Sequence, residues 1–112
     1  MKDYTKTKEY KDIKKALMNN LKENSNYNAY FIGLVDDYMK LYVIKNQLAD
    51  DIDARGVVCK YQNGKEQWGY KRNDSINDFN KVSGQMLRIL SQLKIKANEI
   101  EIVEEDDELR SI

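Results

Sequence analysis

The run YNAYFIGLVDDYMKLYVIKNQLADDIDARG, residues 27–56, decides the fold. Within it Phe31, Leu34, Tyr38, Leu41, Leu48 and Ile52 recur with the alternating three- and four-residue spacing of a heptad, interrupted by Lys45. That period predicts one long α-helix over 27–55. Val35, Tyr42 and Ala49 form a second apolar stripe beside the first. Two stripes ask for two packing neighbours, more than a two-helix hairpin alone needs. Self-association is one way to supply the second. Arg55-Gly56 closes the helix: a cation suits the negative C-terminal end, and glycine takes a left-handed conformation without a Cβ penalty.

Beyond the long helix, residues 57–71 read as a β-hairpin. Asn63-Gly64 is a favoured pair for a two-residue type I′ turn. Centring the turn there places Tyr61 opposite Glu66, Cys59 opposite Trp68 and Val57 opposite Tyr70. It gathers those six residues on one face, expected to lean on the rest of the protein, because an isolated hairpin is marginal in water. Residues 75–96 then read as another helix, capped by Asp74 or Ser75, with the apolar stripe Phe79, Val82, Met86, Ile89, Leu90, Leu93. Gly84 inside it costs about 1 kcal/mol relative to alanine. Either the close approach of another helix or simple tolerance accounts for it.

Ahead of the long helix, residues 5–23 read as an amphipathic helix. Tyr10, Ile13, Leu17 and Leu21 share one face, and Lys8, Lys11, Lys15 and Lys22 lie opposite. The Asn24-Ser25-Asn26 run supplies stop and cap chemistry. The fold class expected is therefore mainly α: a long antiparallel helical hairpin with a short β-hairpin between its two long helices, plus an N-terminal amphipathic helix. Three segments follow: a basic helix over 1–25, an assembly core over 26–96 and an acidic tail over 97–112.

Composition agrees with long, exposed helices. Of 112 residues, 34% are charged and 41% hydrophobic, with a mean hydropathy of −0.79. The 19 basic and 19 acidic side chains cancel, but unevenly along the chain. Residues 1–22 hold seven lysines against three acids, and residues 99–112 hold seven acids against Arg110. Opposite charge at the two ends points to different partners for them, or to each other; solvated helix faces and a flexible tail would give the same layout.

Most catalytic chemistry is set aside by residue type. Without histidine there is no Ser-His or Cys-His nucleophile and no imidazole metal site. The lone Cys59 allows neither a disulfide within the chain nor a cysteine cluster, and reads as a small apolar filler. Gly64-Lys65 lacks the rest of a phosphate loop. Asp51-x-Asp53-x-Arg55-Gly56 shares the start of a calcium loop but has a cation at the fifth position and Gln62 at the twelfth. Asp36-Asp37 and Asp50-Asp51 are adjacent in sequence and splay across a helix surface. No enzyme activity, cofactor or metal is expected. No signal peptide and no membrane span are read, so the protein is expected to stay in the compartment where it is made.

What the side chains do offer is charge. Lys8, Lys11, Lys15 and Lys22 form a candidate phosphate-contacting face. On one copy such a face is ordinary solvated helix surface; repeated around an assembly it gains through avidity. Lys60, Lys65, Lys71 and Arg72 form a second basic cluster on the hairpin. Trp68 and Tyr70 could stack on bases, but the expected register turns them inward.

The segments DYMKLYVIKNQLADDIDARGV and YQNGKEQWGYKRNDSINDFNKVSGQMLRILSQLKI, within residues 37–95, resemble the small subunit of phage terminases. The long helix running through Lys45-Asn46-Gln47-Leu48 to Arg55-Gly56, the Asn-Gly hairpin, the Asn73-Asp74-Ser75 helix entry and the run from Gln85 to Leu93 carry the resemblance. It implies a non-catalytic DNA-packaging factor in a bacterial host cytoplasm. Such a factor assembles as a ring or other homo-oligomer, binds double-stranded phage DNA and regulates the terminase large subunit. It also implies that the helical hairpin mediates assembly, which makes Phe31, Leu34, Val35, Tyr38, Leu41, Tyr42, Leu48, Ile52, Phe79, Met86 and Leu90 the candidate contact residues between copies. Many family members place a helix-turn-helix at the N-terminus; the roughly 25 residues before the long helix are short for one. The run Glu104–Glu108 is also unlike the family pattern, and by analogy is a candidate contact with the large subunit. The competing reading is a helical adaptor that binds only protein.

Overall fold

The computed structural model describes residues 2–62, 64 and 67–95. A single 3-10 turn, Tyr4–Lys6, precedes helix α1, Lys8–Glu23. Helix α2 spans Ala29–Arg55, strands β1 and β2 span Val58–Gln62 and Trp68–Arg72, and helix α3 spans Asp74–Gln92. The chain is thus mainly helical, with a two-stranded antiparallel sheet between α2 and α3. None of the described helices is long and apolar enough to cross a membrane.

The helix ends follow from side-chain caps and backbone closures that satisfy orphan backbone groups. Thr7 Oγ1 accepts the Tyr10 N–H at 3.2 Å and begins α1. Thr7 is extended, with φ −76° and ψ 153°, so the helix expected from residue 5 is split into a short turn and a later start. Asn28 caps α2 by accepting the Phe31 N–H at 3.1 Å. α1 and α3 finish alike. At the end of α1 the Asn26 N–H reaches the Leu21 carbonyl at 2.8 Å and the Ser25 N–H reaches Lys22 at 3.3 Å. At the end of α3 the Ile95 N–H reaches Leu90 at 2.9 Å and the Lys94 N–H reaches Ser91 at 3.0 Å. Both are Schellman closures, with Ser25 and Lys94 left-handed at φ 59° and 60°. The Lys94 closure stops α3 before the residue 96 that periodicity suggested, and it folds Ile95 back into the core.

α2 and α3 form an antiparallel hairpin. Tyr30 meets Gln92 at one end, Lys45 lies over the Phe79 ring further along, and Asp51 and Arg55 meet Ser75 and Asn73 at the other. α1 packs on α2, so both neighbours demanded by the two apolar stripes come from the same chain. The deepest line on α2 is Val35, Met39 and Tyr42, in one cluster with Leu17 and Leu21 of α1 and Met86 and Leu90 of α3. The heptad residues Phe31, Leu34, Tyr38 and Leu41 are half-buried around it. Burying each large aliphatic side chain contributes about 1.5–3 kcal/mol. Tyr4, buried, donates its hydroxyl proton to Asp50 and ties the N-terminal turn to α2. The result is elongated, 61 × 37 × 22 Å.

The β-hairpin departs from its expected register. Val58 pairs with Arg72, Cys59 with Lys71, Lys60 with Tyr70, Tyr61 with Gly69 and Gln62 with Trp68. Five residues, 63–67, connect the strands in place of two. Asn63 of the expected turn, and Lys65 and Glu66 of the expected second strand, lie outside the described residues. The shift is three residues, an odd number, so each β2 side chain changes face relative to β1. The cause lies at the base of the hairpin. The Asn73 N–H bonds to the Val57 carbonyl at 2.7 Å, which sets residue 73 opposite residue 57 before the turn has any say. Among the described residues the strands pack chiefly on each other, and the Trp68 and Tyr70 rings stay more than half exposed.

Candidate nucleic-acid interface

Two basic surfaces exist, positioned by different physics. On α1, Leu17 and Leu21 are fully buried while Lys8, Lys11, Lys15 and Lys22 are exposed on the other side of the helix. The period of 3.6 alone produces that division once the apolar face docks on α2. Lys22 lies over the Tyr27 ring at 5.2 Å, a cation–π contact that holds its ammonium beside the α1–α2 connection.

The second surface depends on a polar knot where α2, the hairpin and α3 meet. Asp51 accepts two hydrogen bonds from Arg55 at 2.7 and 2.8 Å, one from the Ser75 hydroxyl at 2.6 Å and one from Asn73 at 3.2 Å. Asn73 is completely buried and uses its whole amide. It donates also to the Gly56 carbonyl at 3.0 Å, and accepts from Arg55 at 3.1 Å and from the Ser75 N–H at 3.0 Å. Asn73, not Asp74 or Ser75, is therefore the cap of α3. The Arg55 guanidinium first, then the Ser75 hydroxyl, hold the Asp51 carboxyl far below the usual carboxylate range. Gly56 closes α2 at φ 78° and ψ −174°. The positive φ was expected, but the extended ψ is a region open essentially to glycine alone. It lets the chain turn directly from α2 into β1.

Consequently the second basic cluster is divided. Lys60 and Arg72 share the outer face of the hairpin with Val58, Gln62, Trp68 and Tyr70. Lys71 lies on the opposite face with Cys59 and is paired with Asp74 at 3.4 Å. Lys65 lies outside the described residues, as does the acidic tail 97–112. Cys59 is half-buried, its Sγ 4.0 Å from Arg55 Nη1. Trp68 and Tyr70 were expected to face inward, yet they are 57% and 74% exposed. The signal that could have found this is the Asn73-Asp74-Ser75 cap, which fixes the hairpin from its base.

Among the candidates for contacts between copies, Val35, Tyr42, Met86 and Leu90 are spent on the chain's own core, and burial pushes the Tyr42 hydroxyl up to about 12. Phe31, Leu34, Tyr38, Leu41, Leu48, Ile52 and Phe79 are half-buried. A shallow groove between α2 and α3 is lined by Leu41, Ile44 and Ile89, with Asp37, Lys40 and Arg88 at its rim. Ile44 on α2 and, outside this groove, Leu87 on α3 are 43% and 63% exposed, and the stripe pattern had singled out neither. Among the described residues no group of three acids or cysteines could hold a metal ion.

No curated protein and no solved structure matches the chain. The family model for the small subunit of phage terminase matches residues 9–101, taking in α1, α2, the hairpin and α3, and the chain therefore belongs to the phage terminase small-subunit family.

Proposed function

We propose that this protein is the non-catalytic DNA-engaging subunit of a phage packaging machine, working in the bacterial host cytoplasm as a homo-oligomer beside a large subunit that it regulates. Family membership supports the packaging role. The observation that carries DNA engagement is the row of exposed lysines on α1, Lys8, Lys11, Lys15 and Lys22, opposite the buried Leu17 and Leu21. Each ammonium that neutralises a phosphate releases counterions, so binding is salt-dependent and independent of base identity. Repetition around an assembly multiplies a weak face without any new contact.

In this reading residues 1–25 form the DNA-engaging segment, 26–96 the assembly core and 97–112 an acidic segment for the large subunit. Assembly uses the residues of the α2–α3 hairpin left part-exposed by the chain's own core, Leu41 among them, joined by Ile44 and Ile89 of the same groove. Substituting Lys8, Lys11 and Lys15 together by glutamate is expected to abolish salt-sensitive binding of duplex DNA and leave the native mass unchanged. Retained binding with the same salt slope in that variant refutes the placement.

The exposed apolar groove favours one other reading, a protein-binding adaptor. Failure of the wild-type protein to bind DNA or a heparin column at low salt selects it.

A further inference from the structure

The outer face of the β-hairpin carries what the function above leaves unused. Val58, Lys60 and Gln62 stand on β1; Arg72, Tyr70 and Trp68 stand opposite them on β2. Two large rings and a valine are more than half exposed among the described residues. Exposed apolar surface on so small an element marks a contact with something else.

The chemistry of the face says what. Its described residues include two cations, Lys60 and Arg72, and no carboxylate. Lys60 Nζ lies 4.4 Å from the centre of the Trp68 ring, so charge and ring are presented together. Apolar protein–protein contacts tend to exclude lysine from their centres. Trp68 and Tyr70, two residues apart on one strand, are separated by about 7 Å. Rings alternating with cations along an extended backbone are the elements of a stacking platform for single-stranded nucleic acid: bases lie on the rings and phosphates meet the cations. Duplex DNA keeps its base faces covered and offers only phosphates and groove edges.

We propose that the hairpin's outer face is a second DNA site, selective for unpaired DNA, in which Trp68 and Tyr70 each stack a base while Lys60 and Arg72 contact the flanking phosphates. This rests on the chain being a DNA-engaging subunit, but it uses a surface separate from the α1 lysines. The polar knot of Asp51, Arg55, Asn73 and Ser75 supplies the means, because it sets the register that turns both rings outward.

Trp68 is the only tryptophan in the chain, so its emission reports on this site alone. Titration of the full-length protein with a labelled oligothymidylate is expected to quench that emission. A mixed-sequence duplex, bound through α1, is expected to leave it unchanged. Trp68→Leu with Tyr70→Leu is expected to weaken oligothymidylate binding, read by anisotropy, about tenfold or more, with duplex binding and native mass unaltered. Circular dichroism of the variant establishes that the fold is intact. The Lys8, Lys11 and Lys15 variant is expected to keep the oligothymidylate signal. Oligothymidylate binding with unchanged emission and undiminished affinity in the leucine variant overturns the proposal. So does a fall in native mass on that substitution, which reassigns the face to contact between copies. Duplex binding without any oligothymidylate binding overturns the proposal and leaves the packaging function standing. Absence of both defeats the DNA-engaging reading itself.

Discussion

Helix α1 and the β-hairpin both attach to α2, and they are held by opposite means. α1 is held by apolar burial: Leu17 and Leu21 are fully buried, and Tyr10 stacks at a tilt on Tyr42 with ring centres 5.9 Å apart. The hairpin has no such anchor. It is held at its base by a buried asparagine, a carboxylate and a guanidinium. The apolar attachment tolerates sliding and repacking; the polar one works only when every donor meets its acceptor. One region is fixed by area, the other by geometry.

The comparison is best broken at its two anchors. Leu17→Ala should cost the most, about 3–4 kcal/mol by chemical denaturation, through lost burial and the cavity left behind. Trp68 emission should not change in the folded variant, since the hairpin does not rest on α1. Asn73→Ala should cost about 2–3 kcal/mol, combining a lost helix cap with stranded polar partners. It should also change Trp68 emission in the native state, because the clamp that sets the register is gone. If Asn73→Ala leaves hairpin amide protection unaltered, the base does not control the register.

Acid sharpens the same contrast. The Asp51 carboxyl has its pKa lowered from the ordinary 3.8 by Arg55 and then Ser75. A group depressed in the folded state stabilises above its unfolded pKa and loses that contribution as pH falls toward its folded one. The knot should therefore hold at neutral pH and weaken progressively below about pH 4. Hairpin amides are expected to lose protection in that range before the Leu17 and Leu21 region of α1 does; simultaneous loss would show that the two attachments are one cooperative unit. The smallest effect is a gain. A Cβ at Gly84 meets nothing within 4 Å, so the glycine reflects tolerance and not close helix approach within the chain. Gly84→Ala should stabilise α3 by about 0.5–1 kcal/mol, read as a raised Tm, and touch neither attachment.

The parts legible in the sequence are those governed by neighbours a few residues away. The 3.6 period placed the three helices and separated Leu17 and Leu21 from Lys8, Lys11 and Lys15. Arg55-Gly56 marked the end of α2, and the family resemblance anticipated the match that now covers residues 9–101. The order of burial on α2 was less legible. The heptad line looked dominant, yet Val35, Met39 and Tyr42 lie deepest, because they face the place where α1, α2 and α3 meet.

The sequence by itself therefore determined which stretches form helices, the Arg55-Gly56 end of α2 and the basic face of α1, since period, capping and charge act within a turn or two of helix. Only the tertiary structure decided which way Trp68 and Tyr70 point. Asn63-Gly64 argued locally for a tight turn, but Asp51 and Asn73, far apart in sequence, argued for another register from the base. A set of hydrogen bonds anchored on the buried Asn73 outweighs the local preference of the Asn-Gly turn, and an odd shift in pairing is enough to move two aromatic rings from the inside of the hairpin to the outside.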